Sequence, residues 1–308
     1  VPAGTDPRAR GAWLAGLAPV LFVLLWSTGF IGAKFGLPHA EPLTFLAVRF
    51  AVVLLLLVPL ALLWRAPWPG SGAQAGHQMV VGALVHGLYL GGVFMAIDRG
   101  IPAGLAALIV GLQPLLTALV AGPLLGERVG PRQWLGLALG LGGVILVVLD
   151  KAGGNLGSGL DPLGLGTAVG ALVGITAGTL YQKRFAAGMD LRTGTAMQFL
   201  GALIVTSALA LGLEEGRIDW TWEFIGALAW LVVVLSVGAI SLLMFLIKRG
   251  EVSRVASLFY LVPPVTATIA WALFDERMGP LALVGMAVAV VGVGLAVVQP
   301  GRRGAKRL

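Results

Sequence analysis

The amino-acid sequence predicts an all-α membrane protein, with ten transmembrane helices arranged as two inverted five-helix repeats. Three observations carry this prediction. The composition is too apolar for one soluble core, the apolar runs have membrane-crossing length, and an ordered set of residues recurs after an odd number of crossings. Hydrophobic residues fill 58% of the 308 positions and charged residues only 11%, with a mean hydropathy of +0.94, so the bilayer must act as solvent. The 46 glycines suit that environment, because helices in lipid cohere through close backbone packing at small residues. Cysteine is absent, which excludes disulfides, thiolate metal sites and cysteine nucleophiles.

A helix needs about 20 apolar residues to cross roughly 30 Å of hydrocarbon. Runs of that kind place the spans at 13–33, 43–64, 78–97, 102–125, 132–149, 162–182, 191–212, 222–247, 252–273 and 281–298. Connections such as Arg65 to Gly72 and Gly153 to Pro162 hold the proline, glycine and charge that interrupt helices. The first span is longer than the apolar core of a signal peptide and carries Trp26, Ser27 and Thr28 inside it, so it stays in the mature chain.

With a cytoplasmic N-terminus, fifteen basic residues, among them Arg65, Arg132, Lys183 and Arg192, fall on the cytoplasmic side. Five fall opposite: Lys34, Arg99, Lys151, Arg217 and Arg277. The positive-inside rule then places both termini in the cytoplasm of a bacterial-type inner membrane. The net charge of +7 is on this account a topology signal, and no nucleic-acid partner is expected.

Ile97, Arg99, Gly100, Ala106, Leu108 and Pro114 recur 150 positions later as Ile247, Arg249, Gly250, Ala256, Leu258 and Pro264. Glu127, Arg128, Gly130, Pro131, Gly136 and Gly143 recur 149 positions later as Glu276, Arg277, Gly279, Pro280, Gly285 and Gly292. A weaker match pairs Gly29 and Lys34 with Gly178 and Lys183. Five spans separate each residue from its copy, and an odd number of crossings reverses direction. The halves are 13–150 and 151–298, flanked by a cytoplasmic segment, 1–12, and a basic tail, 299–308. Two similar packings about an axis in the membrane plane can exchange conformations and open a midplane site to either side. Chance likeness between two Gly-Leu-Val-rich stretches is the competing account, and the ordered charge and proline matches weigh against it.

The segment Leu25-Trp26-Ser27-Thr28-Gly29-Phe30, then Pro42, Phe45 and Arg49-Phe50, and the twin segments Gly126-Glu127-Arg128 and Asp275-Glu276-Arg277 together resemble the EamA family of the drug/metabolite transporter superfamily. The likeness spans about residues 17–299. It implies two inverted five-helix repeats around a central cavity and export of metabolites or amino acids. The overall organisation is similar to that of the YddG-type aromatic amino acid exporters. The resemblance also implies a site lined by the first, third, fourth, sixth, eighth and ninth helices. Nucleotide-sugar, lipid-headgroup or drug-like cargo uses the same fold, and a strongly basic cavity would mark phosphate-bearing cargo. A membrane enzyme would require a convergent acid, base or metal cluster, which His39, His77 and His86 at different levels do not supply. The expected partners are therefore a small-molecule solute and the lipid bilayer, with no cofactor or metal, in a monomer or homodimer.

No carboxylate lies deep in a span and no phosphate-binding loop is present, so transport without ATP is the simplest expectation. His86 lies about 13 Å into the third span, near the midplane, with Tyr89 and Val93 on the same helical face. Two roles fit that histidine: a hydrogen-bonded packing group, or a substrate contact. Thr176, Thr179 and Lys183 form a polar stripe that faces a cavity unless the hydroxyls bond their own backbone. Trp26, Thr28, Gln113 and Tyr260 complete the candidate substrate contacts, with packing as the alternative for the aromatics. Pro114, Pro263 and Pro264 occupy corresponding helices and are candidate hinges, or else static kinks. Arg49, about 9 Å into the second span, is read as an anchor in preference to a substrate contact. Gly136 with Gly140, and their copies Gly285 and Ala289, form a small-residue seam for packing within the chain or a dimer.

Overall fold

Proline and short polar side chains set where the helices begin. The prolines at Pro42, Pro131, Pro162 and Pro280 each open a helix, where their missing N–H costs nothing. Asp161, Asp190 and Thr221 precede helices as N-caps, and their side chains accept from the N–H groups of Leu163, Arg192 and Phe224. The computed structural model describes residues 7–125, 130–151, 159–186, 188–239, 242 and 258–297. The residues Glu127, Arg128, Ile247, Arg249, Gly250 and Ala256 of the sequence repeat, and Gly126, lie outside them.

Among the described residues the chain is helical, with one isolated backbone bridge between Ala40 and Ile218. The helices are α1 (Pro7–Gly36), α2 (Pro42–Leu63), α3 (Gly72–Gly82), α4 (Tyr89–Asp98), α5 (Ala103–Val110) and α6 (Gln113–Leu125). They continue as α7 (Pro131–Lys151), α8 (Pro162–Phe185), α9 (Leu191–Leu213), α10 (Trp222–Ala229), α11 (Val262–Phe274) and α12 (Pro280–Val297). Among the described residues six segments are long and apolar enough to cross a membrane: Leu17–His39, Pro42–Leu63, Gly72–Asp98, Pro131–Lys151, Pro162–Phe185 and Leu191–Leu213. Four shorter apolar segments, Ala103–Thr117, Trp222–Ser236, Phe259–Phe274 and Pro280–Leu295, accompany them. Large apolar side chains such as Leu55, Leu63 and Trp271 point outward, a surface that suits lipid and not water.

Several runs that read as continuous spans are interrupted. A π-helical segment, Ala83–Leu88, joins α3 to α4, and a second, Trp230–Ala239, follows α10. The 102–125 run breaks at Gly111 and Leu112, between α5 and α6. Pro114 has no N–H to donate to the Val110 carbonyl, which removes a rung of the ladder at that point. A 3₁₀ turn, Phe259–Leu261, leads into α11, whose first turn holds Pro263 and Pro264.

Helices α7 and α12 meet through glycine. A Cβ on Gly143 would lie 2.4 Å from the Gly285 carbonyl oxygen, and one on Gly292 would lie 2.7 Å from the Gly136 carbonyl oxygen. The contacts run in opposite order along the two helices, so the helices are antiparallel. Exchanging each glycine for its counterpart 149 positions away converts one contact into the other. The small-residue seam is thus occupied within the chain.

One end of the bundle is tied by charge. Lys34 pairs with Glu276, which also accepts the Ala103 N–H at the start of α5 (3.2 Å). Glu214 caps α2 by accepting from the N–H groups of Leu43 (2.8 Å) and Thr44 (2.7 Å) and from the Thr44 hydroxyl (2.8 Å). Arg99 bonds Asp161 at 3.0 Å, and Asp150 accepts the Gly279 N–H at 3.0 Å. The Arg217 N–H donates to Glu41 at 2.9 Å and, with the Arg217 guanidinium, holds that carboxyl below its usual range. Lys34, Arg99, Lys151, Arg217 and Arg277 all gather at this end. Among the described residues at the other end, Gln78 donates to the Ala186 carbonyl (2.9 Å), Gln198 to Gln78 (2.7 Å) and Thr193 to the Pro67 carbonyl (2.7 Å), beside an Asp190–Arg192 ion pair at 2.9 Å.

Candidate functional site

The site begins with two glycines that let α3 and α9 touch. A Cβ on Gly82 would fall 1.8 Å from the Gln198 carbonyl oxygen, and one on Gly201 would fall 2.2 Å from that of Met79. This approach brings the first π-helical segment against α9, where the His86 ring stacks on Phe199 at 4.5 Å and 11°. In the π segment the Tyr89 N–H reaches back five residues to the Leu84 carbonyl, and the extra residue in the turn re-aims the side chains around it.

A cavity of about 120 Å³ opens beside His86. Helix α1 contributes Trp26, Gly29 and Phe30; α2 contributes Arg49; the first π segment and α4 contribute Val85, His86, Tyr89, Leu90, Val93 and Phe94. Ile175 of α8, Phe199 of α9, and Leu235 and Ser236 of the second π segment close it. His86 and Ser236 are 150 positions apart, as are Val85 and Leu235, which is the spacing of the sequence repeat in this region. Aromatic rings form much of the wall: Phe50 flanks His86 at 6.2 Å, and Trp26 packs edge-on against Phe259 at 5.1 Å.

The cavity holds one strong charge. Arg49 is 4% exposed, its Nη2 lies 3.4 Å from Ser236 Oγ, and its Nε has no hydrogen-bond partner among the described residues. Ser236 donates its own proton to the Leu231 carbonyl at 3.1 Å. Among the described residues no carboxylate comes within 4.0 Å of the guanidinium. An unpaired buried cation in a membrane protein is unfavourable by a few kcal/mol or more.

Of the sequence candidates, Trp26, His86 and Tyr89 come together at this cavity. The others lie elsewhere. Thr28 donates to the Leu25 carbonyl (2.6 Å) and accepts from the indole of Trp230 (2.9 Å). Thr176 and Thr179 donate to the Leu172 and Ile175 carbonyls, both at 2.7 Å, so each satisfies its own helix. Gln113 reaches Thr117 at 3.3 Å and Thr179 at 3.4 Å, a separate polar group. Tyr260 has a buried hydroxyl with no partner among the described residues and packs with Leu108, Gly111 and Pro263 around a void of about 10 Å³.

The helix membership also differs from the one implied by family resemblance. Among the described residues the second and seventh spans line the cavity, whereas the fourth and ninth do not. Those two pack on each other, and a Cβ on Gly104 of α5 would lie 2.8 Å from the Ala267 Cβ of α11. Arg49, Phe199 and Ser236 are among the lining residues that the sequence candidates omit. One signal for them was present. Thr44 and Phe50 recur 149 positions later as Thr193 and Phe199, which pairs α2 with α9 as it pairs the other spans.

The chain is 27% identical over 289 residues to a probable amino-acid metabolite efflux pump of Escherichia coli (strain K12), covering 90% of this chain and 93% of that protein. It is 27% identical to the uncharacterized transporter YvbV of Bacillus subtilis (strain 168), over 93% of this chain and 91% of that protein. A solved crystal structure superposes with a TM-score of 0.62 over 91% of this chain and 95% of the other, at 23% identity, a likeness of fold alone. The EamA-like transporter family matches residues 12–149 and again residues 162–298. With both halves matched and a multi-pass helical bundle built around a central cavity, the chain belongs to the EamA-like transporter family, a family of membrane transporters.

Proposed function

We propose that the protein exports small metabolites, amino acids in particular, by alternating access around the cavity beside His86. The observation that carries this reading is the cavity itself, a largely apolar and aromatic chamber with a few polar groups, lined from both halves. Its volume of about 120 Å³ is small beside the roughly 300–1,000 Å³ of sites for drug-sized ligands, which favours a small solute. The reciprocal glycine contacts of α7 and α12, and a π-helical segment in each half, support ten spans in two inverted repeats. Amino acids are preferred because the Escherichia coli relative is named as a probable amino-acid metabolite efflux pump.

In this mechanism Trp26, His86 and Tyr89 contact the solute. The charge-tied end, with Lys34 and Glu276, is the extracellular gate, and both termini are cytoplasmic in a bacterial-type inner membrane. Thr179 is one helical turn from the cavity-lining Ile175, so its pair with Gln113 joins the site when the fourth and ninth spans bend at Pro114, Pro263 and Pro264. The test is counterflow in liposomes holding the purified protein alone, without ATP, across amino acids, sugars, polyamines and drugs. Saturable exchange confined to amino acids and related metabolites is expected. Exchange of no solute class, or activity only with an added ATPase partner, would overturn the proposal.

A further inference from the structure

We infer that Arg49 holds the carboxylate of the transported solute, so that the cavity selects small monocarboxylates with an apolar body and rejects their amides and amines. The inference rests on the transport reading for the word "transported", and on the structure for the rest. Arg49 is nine-tenths buried or more, lines the cavity and, among the described residues, lacks both a counter-ion and a partner for Nε. A guanidinium offers five N–H donors in a planar fork, and a single serine contact at 3.4 Å leaves that capacity largely unused. A carboxylate fits the fork with two parallel bonds.

An anchoring role accounts less well for the geometry. An arginine anchor near a span end extends its head group to the interface, whereas the Arg49 head group turns inward to Ser236 on the second π segment. The position of Ser236 matters as well. Its proton is committed to the Leu231 carbonyl, so only its lone pairs face the cation, and the serine steers Arg49 without neutralising it.

The remaining walls define the rest of the solute. Phe30, Phe94, Val93 and Leu235 are apolar, which suits an aliphatic or aromatic body. Among the lining residues only Arg49 and His86 can carry positive charge, too little for a nucleotide diphosphate. A solute bearing only an ammonium group would meet an unneutralised guanidinium and be repelled.

The experiment is equilibrium binding to the purified, detergent-solubilised full chain, by calorimetry and by thermal shift. The probes are L-leucine, 4-methylpentanoate, L-leucinamide and 3-methylbutylamine, which share one body and differ in the carboxylate and the amine. Leucine and 4-methylpentanoate are expected to bind about 10- to 100-fold more tightly than the amide and the amine, the range of a charge-assisted hydrogen bond. Arg49→Gln should erase that preference, and Arg49→Lys should keep it with weaker binding. If Arg49→Gln does not fold, as its melting curve without ligand will show, the four-probe comparison on the wild-type protein decides alone. Equal binding of amide and acid, binding of neither acid, or an undiminished acid preference in a folded Arg49→Gln would overturn the inference. Binding needs no transport, so acid-selective binding without counterflow would sink the carrier reading and leave the Arg49 assignment standing. Counterflow of uncharged or cationic solutes without acid preference would do the reverse.

Discussion

At the residue scale, His86 and Tyr89 lie three positions apart across the end of the π segment, and both face one cavity. The His86 ring also stacks on Phe199, so its removal has a packing consequence of about 0.5–1.5 kcal/mol whatever else it does. The two contributions separate by measurement. His86→Ala and Tyr89→Ala are expected to lower counterflow about tenfold or more at matched protein density, the scale of one lost hydrogen bond to solute, with melting temperatures close to wild type. Transport loss that follows the melting temperature would assign both residues to packing. Full transport in both variants would remove them from the solute site.

At the element scale, glycine decides how closely helices approach, and the α7–α12 seam allows a clean comparison. A methyl group at Gly143 meets the Gly285 carbonyl oxygen at 2.4 Å, whereas one at the neighbouring Gly142 meets nothing within 4 Å. Overpacking of this kind costs about 1–3 kcal/mol. Gly143→Ala should therefore lower the melting temperature measurably, while Gly142→Ala should leave it unchanged or raise it slightly through helix propensity. Neither α7 nor α12 contributes to the cavity, so transport per folded molecule should hold in both variants. A stable Gly143→Ala protein would mean that the helices pack less closely than this.

At the scale of the whole molecule, the two ends differ in kind. Among the described residues, carboxylates, lysine and arginine join separate helices at one end, whereas amide and hydroxyl bonds join helices at the other, where the Asp190–Arg192 ion pair stays within the start of α9. The exposed residues Glu215 and Ala73 mark these ends. Because the chain contains no cysteine, Glu215→Cys and Ala73→Cys each introduce a single label site. A membrane-impermeant maleimide applied to intact cells should modify Glu215→Cys at once and Ala73→Cys only after permeabilisation. The opposite pattern would invert the proposed orientation and make the charge-tied end cytoplasmic.

Much of this architecture is legible without coordinates, because a bilayer imposes a length. Apolar runs of membrane-crossing size lie along α1, α2, α7, α8 and α9 almost to their ends. The basic residues that the sequence groups on its poorer side do meet at one end. The interior is another matter. In a soluble helix the polar face marks what turns outward, but lipid and protein interior are both apolar, so the faces of α2 and α9 carry no such mark. Arg49 therefore reads as an anchor until α10 and its π segment bring Ser236 beside it. The π segments are equally silent in one dimension, since a five-residue hydrogen bond in place of a four-residue one depends on neighbours such as Phe199 and not on residue type. Span length and charge are properties of the chain taken in order, whereas the direction in which a buried side chain points is settled only when non-adjacent helices pack.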